Sequence, residues 1–135
     1  YMNKNEIDLK MGLEGELDSL PLINKYLNTE MTENYKYSRI DFEDDTTCCE
    51  LKTRRVKHNT YPSLFIPHHK LIHKSLKGKQ VYFAFNCIDG LFLFDYTENK
   101  NDCYLSQGGR WDRGKREVCK MINVPTNNLI QISQK

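Results

Sequence analysis

A single mixed α/β domain is the fold class this sequence predicts, and three observations lead to it. Leucine and isoleucine recur at intervals of three and four over residues 6–28, as on one face of a helix. Apolar and polar residues alternate on both sides of a polar turn within residues 38–54, as in a strand pair. Two apolar, aromatic-rich runs, 81–86 and 91–96, flank Asp89-Gly90 as a hairpin whose strands belong at the centre of a sheet. A length of 135 residues suits one core, assigned to residues 2–135 with a native start at Met2 and Tyr1 left aside.

Composition narrows the class further. At 39% hydrophobic and 28% charged, the chain is too apolar for a disordered tail and too evenly charged for a fibre. The longest mostly apolar stretch, 81–94, is broken by Asn86, Asp89 and Gly90, so neither a membrane span nor a secretory leader is expected. Five cysteines form an odd set without a repeated short spacing, which points to reduced thiols and an intracellular, reducing compartment. Cys48 and Cys49 are neighbours, and on a strand they face opposite ways, so they are poor partners for each other or for one metal.

Each element has its own signal. In the first helix Leu9, Leu13, Leu17, Leu20, Ile23 and Leu27 form the apolar stripe, and Pro21 should kink or split it near Ser19. Residues 29–37 are polar and aperiodic, a loop. In the hairpin that follows, Asp45 and Thr46 at the turn place Phe42 opposite Cys49, Ile40 opposite Leu51 and Asp41 opposite Glu50. That register buries all four apolar side chains on one face and gathers Asp41, Glu50 and Lys52 on the other. Residues 53–62 read as a basic loop and 61–66 as a short extended piece. Pro67 suits the first turn of a helix through Leu76 that Gly78 ends. Strands are expected at 103–106 and 118–124, and a short helical turn with a tail over 125–132.

Two carboxylates and a lysine on one hairpin face can do phosphodiester chemistry. Asp41 and Glu50 offer hard oxygen ligands to Mg²⁺, the backbone carbonyl of Leu51 completes the set, and Lys52 can position water or stabilise charge on a phosphate. Glu16, or else Glu14, could add a carboxylate from the first helix. The alternative is a solvated outer face of an edge hairpin, with Glu50 and Lys52 as ordinary surface charges. Asp41 directly facing Glu50 argues against it, because opposed like charges repel unless a cation or proton lies between them.

These residues resemble a known family. Asp41 and then Glu50-Leu51-Lys52 in "IDFEDDTTCCELKTRR" are similar to the core of the restriction-endonuclease-like PD-(D/E)XK nuclease superfamily, and Glu16 in "GLEGELDSL" sits where many members carry a helix glutamate. The chain also resembles small nuclease-like proteins of large DNA viruses at "YSRIDFED", "ELKTRR", "TYPSLFI" and "INVPTNNLIQI", landmarks that cover nearly its whole length. The resemblance implies a restriction-endonuclease-like α/β core with a mixed central β-sheet flanked by helices. It also implies Mg²⁺- or Mn²⁺-dependent DNA cleavage, with Asp41, Glu50 and Lys52 as the catalytic trio. Ile40 stands where the motif's name has proline, a position without chemistry.

Charge is distributed to match a nucleic-acid partner. Net charge is −7 over residues 1–50, +8 over the acid-free residues 51–80, and +1 over the remainder. Arg54, Arg55 and Lys57 follow the candidate site directly, and Lys70, Lys74 and Lys77 recur at helical spacing as a stripe able to track phosphates or simply keep a helix soluble. Lys70 also resembles a basic position that follows the "TYPS" stretch in similar proteins. Tyr61 is placed either on a base or capping the core. Arg110, Arg113, Lys115 and Arg116 surround Trp111 as a DNA clamp or an ordinary surface loop. His69 and His73, four apart, have the spacing of a zinc pair, with surface histidines as the blander account, and no local context supports a thiol hydrolase.

The expected activity is therefore metal-dependent endo- or exonuclease hydrolysis of DNA in viral DNA processing, recombination or repair. A chain this small leaves no room for a recognition domain, so structure-selective or weakly sequence-selective cutting is expected, with a homodimer presenting two sites to two strands as one way to do it. A viral origin would place it in the host cytoplasm or nucleus, or with the virion. The alternative is a catalytically silent nucleic-acid-binding or virion-associated module of the same fold.

Overall fold

The computed structural model describes residues 19–34, 40–68, 77–110 and 117–134. Residues 19–27 are helical (α1), and Leu20, Ile23 and Leu27 place one face on the core. Asn28 ends the helix with φ 56°, and the Thr29 N–H donates to the Asn24 carbonyl at 3.0 Å, the bond that closes a left-handed helix terminus. The Asn24 side chain then holds the exit: Oδ1 accepts from the Met31 N–H and Thr29 Oγ1, and Nδ2 donates to the Met31 carbonyl. This delivers the chain into β1, Thr32–Glu33, within the expected loop. Two polar residues have no pattern to read, and only pairing with the next strand makes them a strand.

The hairpin of β2, Phe42–Glu43, and β3, Thr47–Thr53, has the expected register, with Phe42 opposite Cys49 and Glu43 opposite Cys48. Asp44 shapes the turn by accepting the Thr46 and Thr47 N–H groups on Oδ1 at 2.9 and 2.8 Å. The ladder, however, stops at Phe42. Continued regularly, the Leu51 N–H would reach the Ile40 carbonyl, but it donates to Asp41 Oδ2 at 2.8 Å, while Asn34 Nδ2 takes the Ile40 carbonyl at 2.9 Å. The chain turns at Asp41 in consequence. Ile40 does not join Phe42, Cys49 and Leu51 as expected, but packs with Cys48 and Val81 on the opposite face.

β3 lies inside a six-stranded mixed sheet of order β1-β2-β3-β5-β6-β9, where β5 is Gln80–Cys87, β6 is Gly90–Asp95 and β9 is Ile130–Gln134. The β3–β5 pair is parallel and the others antiparallel. Both β5 and β6 are interior, as their continuous apolar runs predict. α1 covers the face carrying Phe42, Cys49, Leu51, Ala84, Leu91 and Leu93. On the other face, Phe83, Phe85, Phe92 and Phe94 pack against a second sheet of order β4-β8-β7, with β4 Ser63–Pro67, β7 Tyr104–Arg110 and β8 Glu117–Pro125. Each of these phenylalanines is almost fully buried, worth about 1.5–3 kcal/mol apiece.

Three further expectations change. Pro67 closes β4 instead of opening a helix, and the rest of that expected helix, 69–76, lies outside the described residues. Proline is tolerated there because Thr126 N–H bonds to the Pro62 carbonyl, which by alternation turns the amides of Phe65 and Pro67 away from β8. Tyr96 begins a short helix (α2, Tyr96–Asn99) capped by Asp95, whose side chain accepts the Glu98 N–H at 3.1 Å. The expected helical turn shrinks to a 3₁₀ turn at Thr126–Asn128, and the tail is strand β9. β9 is half exposed and polar at alternate positions, so its strand character comes from pairing with β6.

Candidate active site

Alternation along β3 sends Cys48, Glu50 and Lys52 to one face and Cys49 and Leu51 to the other. Because β3 is flanked by β2 and β5, Glu50 is not on a solvated outer face; it is 2% exposed, beside Phe83 on the parallel neighbour. Lys52 Nζ lies 3.9 Å from Glu50 Oε1, and with 24% of the lysine side chain exposed the ammonium can balance a buried carboxylate from a partly solvated position.

Asp41 arrives from across the hairpin. Its Oδ2 replaces the missing strand partner of Leu51, which fixes the carboxylate at the point where β2 ends. The N–H and carbonyl of one strand residue point the same way, so the Leu51 carbonyl faces this same gap. Asp41 and the Leu51 carbonyl thus share this gap, and Glu50 and Lys52 are the residues on either side of Leu51 along β3. Among the described residues no group of three or more His, Cys, Asp or Glu side chains could hold a metal ion. Two carboxylates and a carbonyl nevertheless suit Mg²⁺, which keeps several waters and commonly takes only one or two carboxylates. Glu16, the expected further ligand, lies outside the described residues.

The basic candidates divide. Arg54 is half-buried, and its guanidinium donates to the Thr53 and Phe65 carbonyls, each at 3.3 Å, tying β3 to the free edge of β4. Burial pulls its pKa down, without threatening the charge of an arginine. Arg55 and Lys57 are exposed. Tyr61 is 59% exposed, so it does not cap the core. Lys70, Lys74, Arg113, His69 and His73 fall outside the described residues, and Arg110 is the last residue of β7.

Sequence reasoning missed a clamp on the basic loop. The His58 N–H and Nδ1 meet the two carboxylate oxygens of Asp89 at 3.0 and 2.6 Å, and the imidazole stacks on Phe92 with centroids 4.1 Å apart. Thirty-one residues separate the partners, so no local signal marks them. Phe65 was also missed, though Leu64 and Ile66 as core residues would have turned it outward by alternation; it is 43% exposed.

Cysteine chemistry is disfavoured at this site. Cys48 and Cys49 are fully buried on opposite faces, and burial pushes the Cys48 thiol up to about 12 and the Cys49 thiol well above its ordinary value.

A mixed sheet with a central parallel pair, a helix on one face and Glu-x-Lys on the interior strand defines a restriction-endonuclease-like α/β core. The family model described as "Phage putative PDDEXK endonuclease" matches residues 5–132, and the chain belongs to that family. No curated protein and no solved structure matches the chain.

Proposed function

We propose that this nuclease-family chain is a deoxyribonuclease that depends on Mg²⁺ or Mn²⁺, with Asp41 and Glu50 as metal ligands and Lys52 as the charge-stabilising residue. The observation that carries this is that Asp41 is anchored on the Leu51 N–H where β2 stops short of the end of β3, with Glu50 and Lys52 on either side of Leu51 and 3.9 Å apart. A divalent cation bound there would supply the positive charge that activates water and neutralises a phosphate oxygen.

The chain's own residues do the rest. The Leu51 N–H holds Asp41 in one orientation, so the carboxylate is preorganised. Burial of Glu50 keeps its carboxylate out of bulk water, and in that lower-dielectric setting its interactions with cations are stronger. Lys52, partly exposed, faces solvent and can orient a water or meet charge developing on the phosphate. Glu16 is assigned as an auxiliary ligand. Arg55, Lys57, Tyr61, Lys70, Lys74, Arg110 and Arg113 are assigned to the DNA, with Arg54 as the residue that shapes the surface beside them. A role in viral DNA processing, a reducing intracellular setting, one domain over 2–135 and action as a homodimer complete the proposal.

The test is cleavage of linear duplex, single-stranded and branched DNA by wild type and Lys52→Ala, with Mg²⁺, Mn²⁺ or EDTA and with folding checked by circular dichroism. Metal-dependent cleavage that disappears in a folded variant is expected. Salt-sensitive DNA binding without cleavage in either protein would replace the enzyme with a binding module.

A further inference from the structure

Beyond Lys52, the chain that leaves β3 leads to a groove of about 250 Å³ whose walls include Arg54, Arg55, Tyr61, Leu64 and Phe65. It is smaller than the roughly 300–1,000 Å³ of pockets that enclose drug-sized ligands, and so suits one small planar group. Tyr61 and Phe65 expose aromatic rings here, at 59% and 43%. Neither ring is held by chance. Thr126 binds the backbone on both sides of Tyr61's peptide link, its N–H and Oγ1 donating to the Pro62 carbonyl at 3.1 and 3.2 Å and its Oγ1 also to the Tyr61 carbonyl at 3.4 Å. Phe65 is fixed by β4, and its carbonyl receives the Arg54 guanidinium. The residues that line the groove all come from the acid-free segment 51–80 and include two arginines, a lining whose charge suits a polyanion. Arg54 follows Lys52 by two residues, a separation of about 7 Å along an extended chain.

Exposed aromatic rings beside arginines are the chemistry that binds an unstacked base and its phosphate. A base paired inside a duplex cannot enter such a groove. We propose that the groove between Arg54, Arg55, Tyr61 and Phe65 takes one unpaired base of the substrate strand beside the scissile phosphate, so that the protein selects DNA with unpaired nucleotides at the cut. This rests on the nuclease assignment for the position of the cut, but the binding itself can be measured without turnover.

The experiment uses fluorescence anisotropy in EDTA with a single-stranded oligonucleotide, the same oligonucleotide bearing abasic sites, and a blunt duplex of equal length. Wild type should prefer the intact single strand, and both Tyr61→Ala and Phe65→Ala should lower its affinity for that strand by about ten-fold or more. Tyr61→Phe, which keeps the ring, should restore it, and 2-aminopurine in the strand should be quenched on binding wild type but not Tyr61→Ala. Equal affinity for intact and abasic strands, or a preference for blunt duplex, would overturn the base pocket. If the pocket's signatures appear while no substrate is cleaved, the nuclease assignment fails alone; if cleavage depends on Lys52 while these variants bind like wild type, the pocket fails alone.

Discussion

Replacing Asp41 separates what its carboxylate does for the fold from what it does for a cation. Its Oδ2 accepts the N–H of Leu51, a residue only 6% exposed, at 2.8 Å. A hydrogen bond to a charged acceptor contributes about 1.5–3 kcal/mol, and a neutral one about 0.5–1.5 kcal/mol. Asp41→Asn keeps an acceptor and should therefore cost about 1 kcal/mol, less whatever is regained by removing a negative charge from the neighbourhood of Glu50. Asp41→Ala leaves the N–H without that acceptor and should cost about 2–3 kcal/mol. Both substitutions remove a proposed metal ligand, so on that assignment both should abolish cleavage. Urea and thermal unfolding with and without Mg²⁺ read the two stability costs and the loss of metal binding, and a cleavage assay reads the activity. At a Mg²⁺ concentration 100 times its Kd, wild type should gain about 2.7 kcal/mol, several degrees in Tm, and neither variant should gain anything comparable. Cleavage or full Mg²⁺ stabilisation surviving in Asp41→Asn would refute the ligand role. Equal destabilisation by Asn and Ala would refute the hydrogen bond as the reason Asp41 is held in place.

Other outcomes follow from the same contacts. Gly90, at φ 147°, lies so close to β9 that a Cβ would collide with the Ser133 carbonyl and come within 2.6 Å of Gln131 Nε2; Gly90→Ala should lower stability by about 1–3 kcal/mol or more in thermal unfolding. Asp44 is held below its ordinary 3.8 by N–H donors from Thr46 first, and then Thr47 and Glu30; Asp89 is also lowered, because hydrogen bonds from His58 outweigh a burial effect of opposite sign. Both carboxylates therefore add stability that is complete above pH 3.8 and is lost as the pH falls through their lower folded values, so acid unfolding should begin in that window and Asp44→Asn should weaken its pH dependence. Iodoacetamide at pH 8 should leave Cys48 and Cys49 unmodified in the folded protein and label them in urea, because burial suppresses both thiolates; rapid labelling of either without denaturant would contradict their placement.

Local pattern alone determined much of this protein. The period of alternation in residues 38–54, with a two-residue turn at Asp45-Thr46, sets the register that puts Phe42 opposite Cys49 and sends Glu50 and Lys52 to one face. The continuous apolar runs around residue 89 mark interior strands, since only a strand covered on both faces keeps such side chains from water. Stripe spacing likewise identifies the buried side of α1 at Leu20, Ile23 and Leu27. Those features were legible because periods of two and 3.6 residues are written within a few neighbouring positions.

Tertiary structure decided the rest, where a residue's state depends on partners far along the chain. β9 is a strand because β6 lies beside it, and Pro67 ends β4 because its missing N–H falls on an unpaired edge. Burial of Glu50 comes from β5 and the second sheet behind it, which the hairpin sequence does not mention. The same holds for His58 on Asp89, and for Asp41, whose carboxylate takes the Leu51 N–H only because the Ile40 carbonyl is taken by Asn34. Alternation could aim the candidate side chains, but contacts between residues far apart along the chain chose which of them are buried and which are anchored.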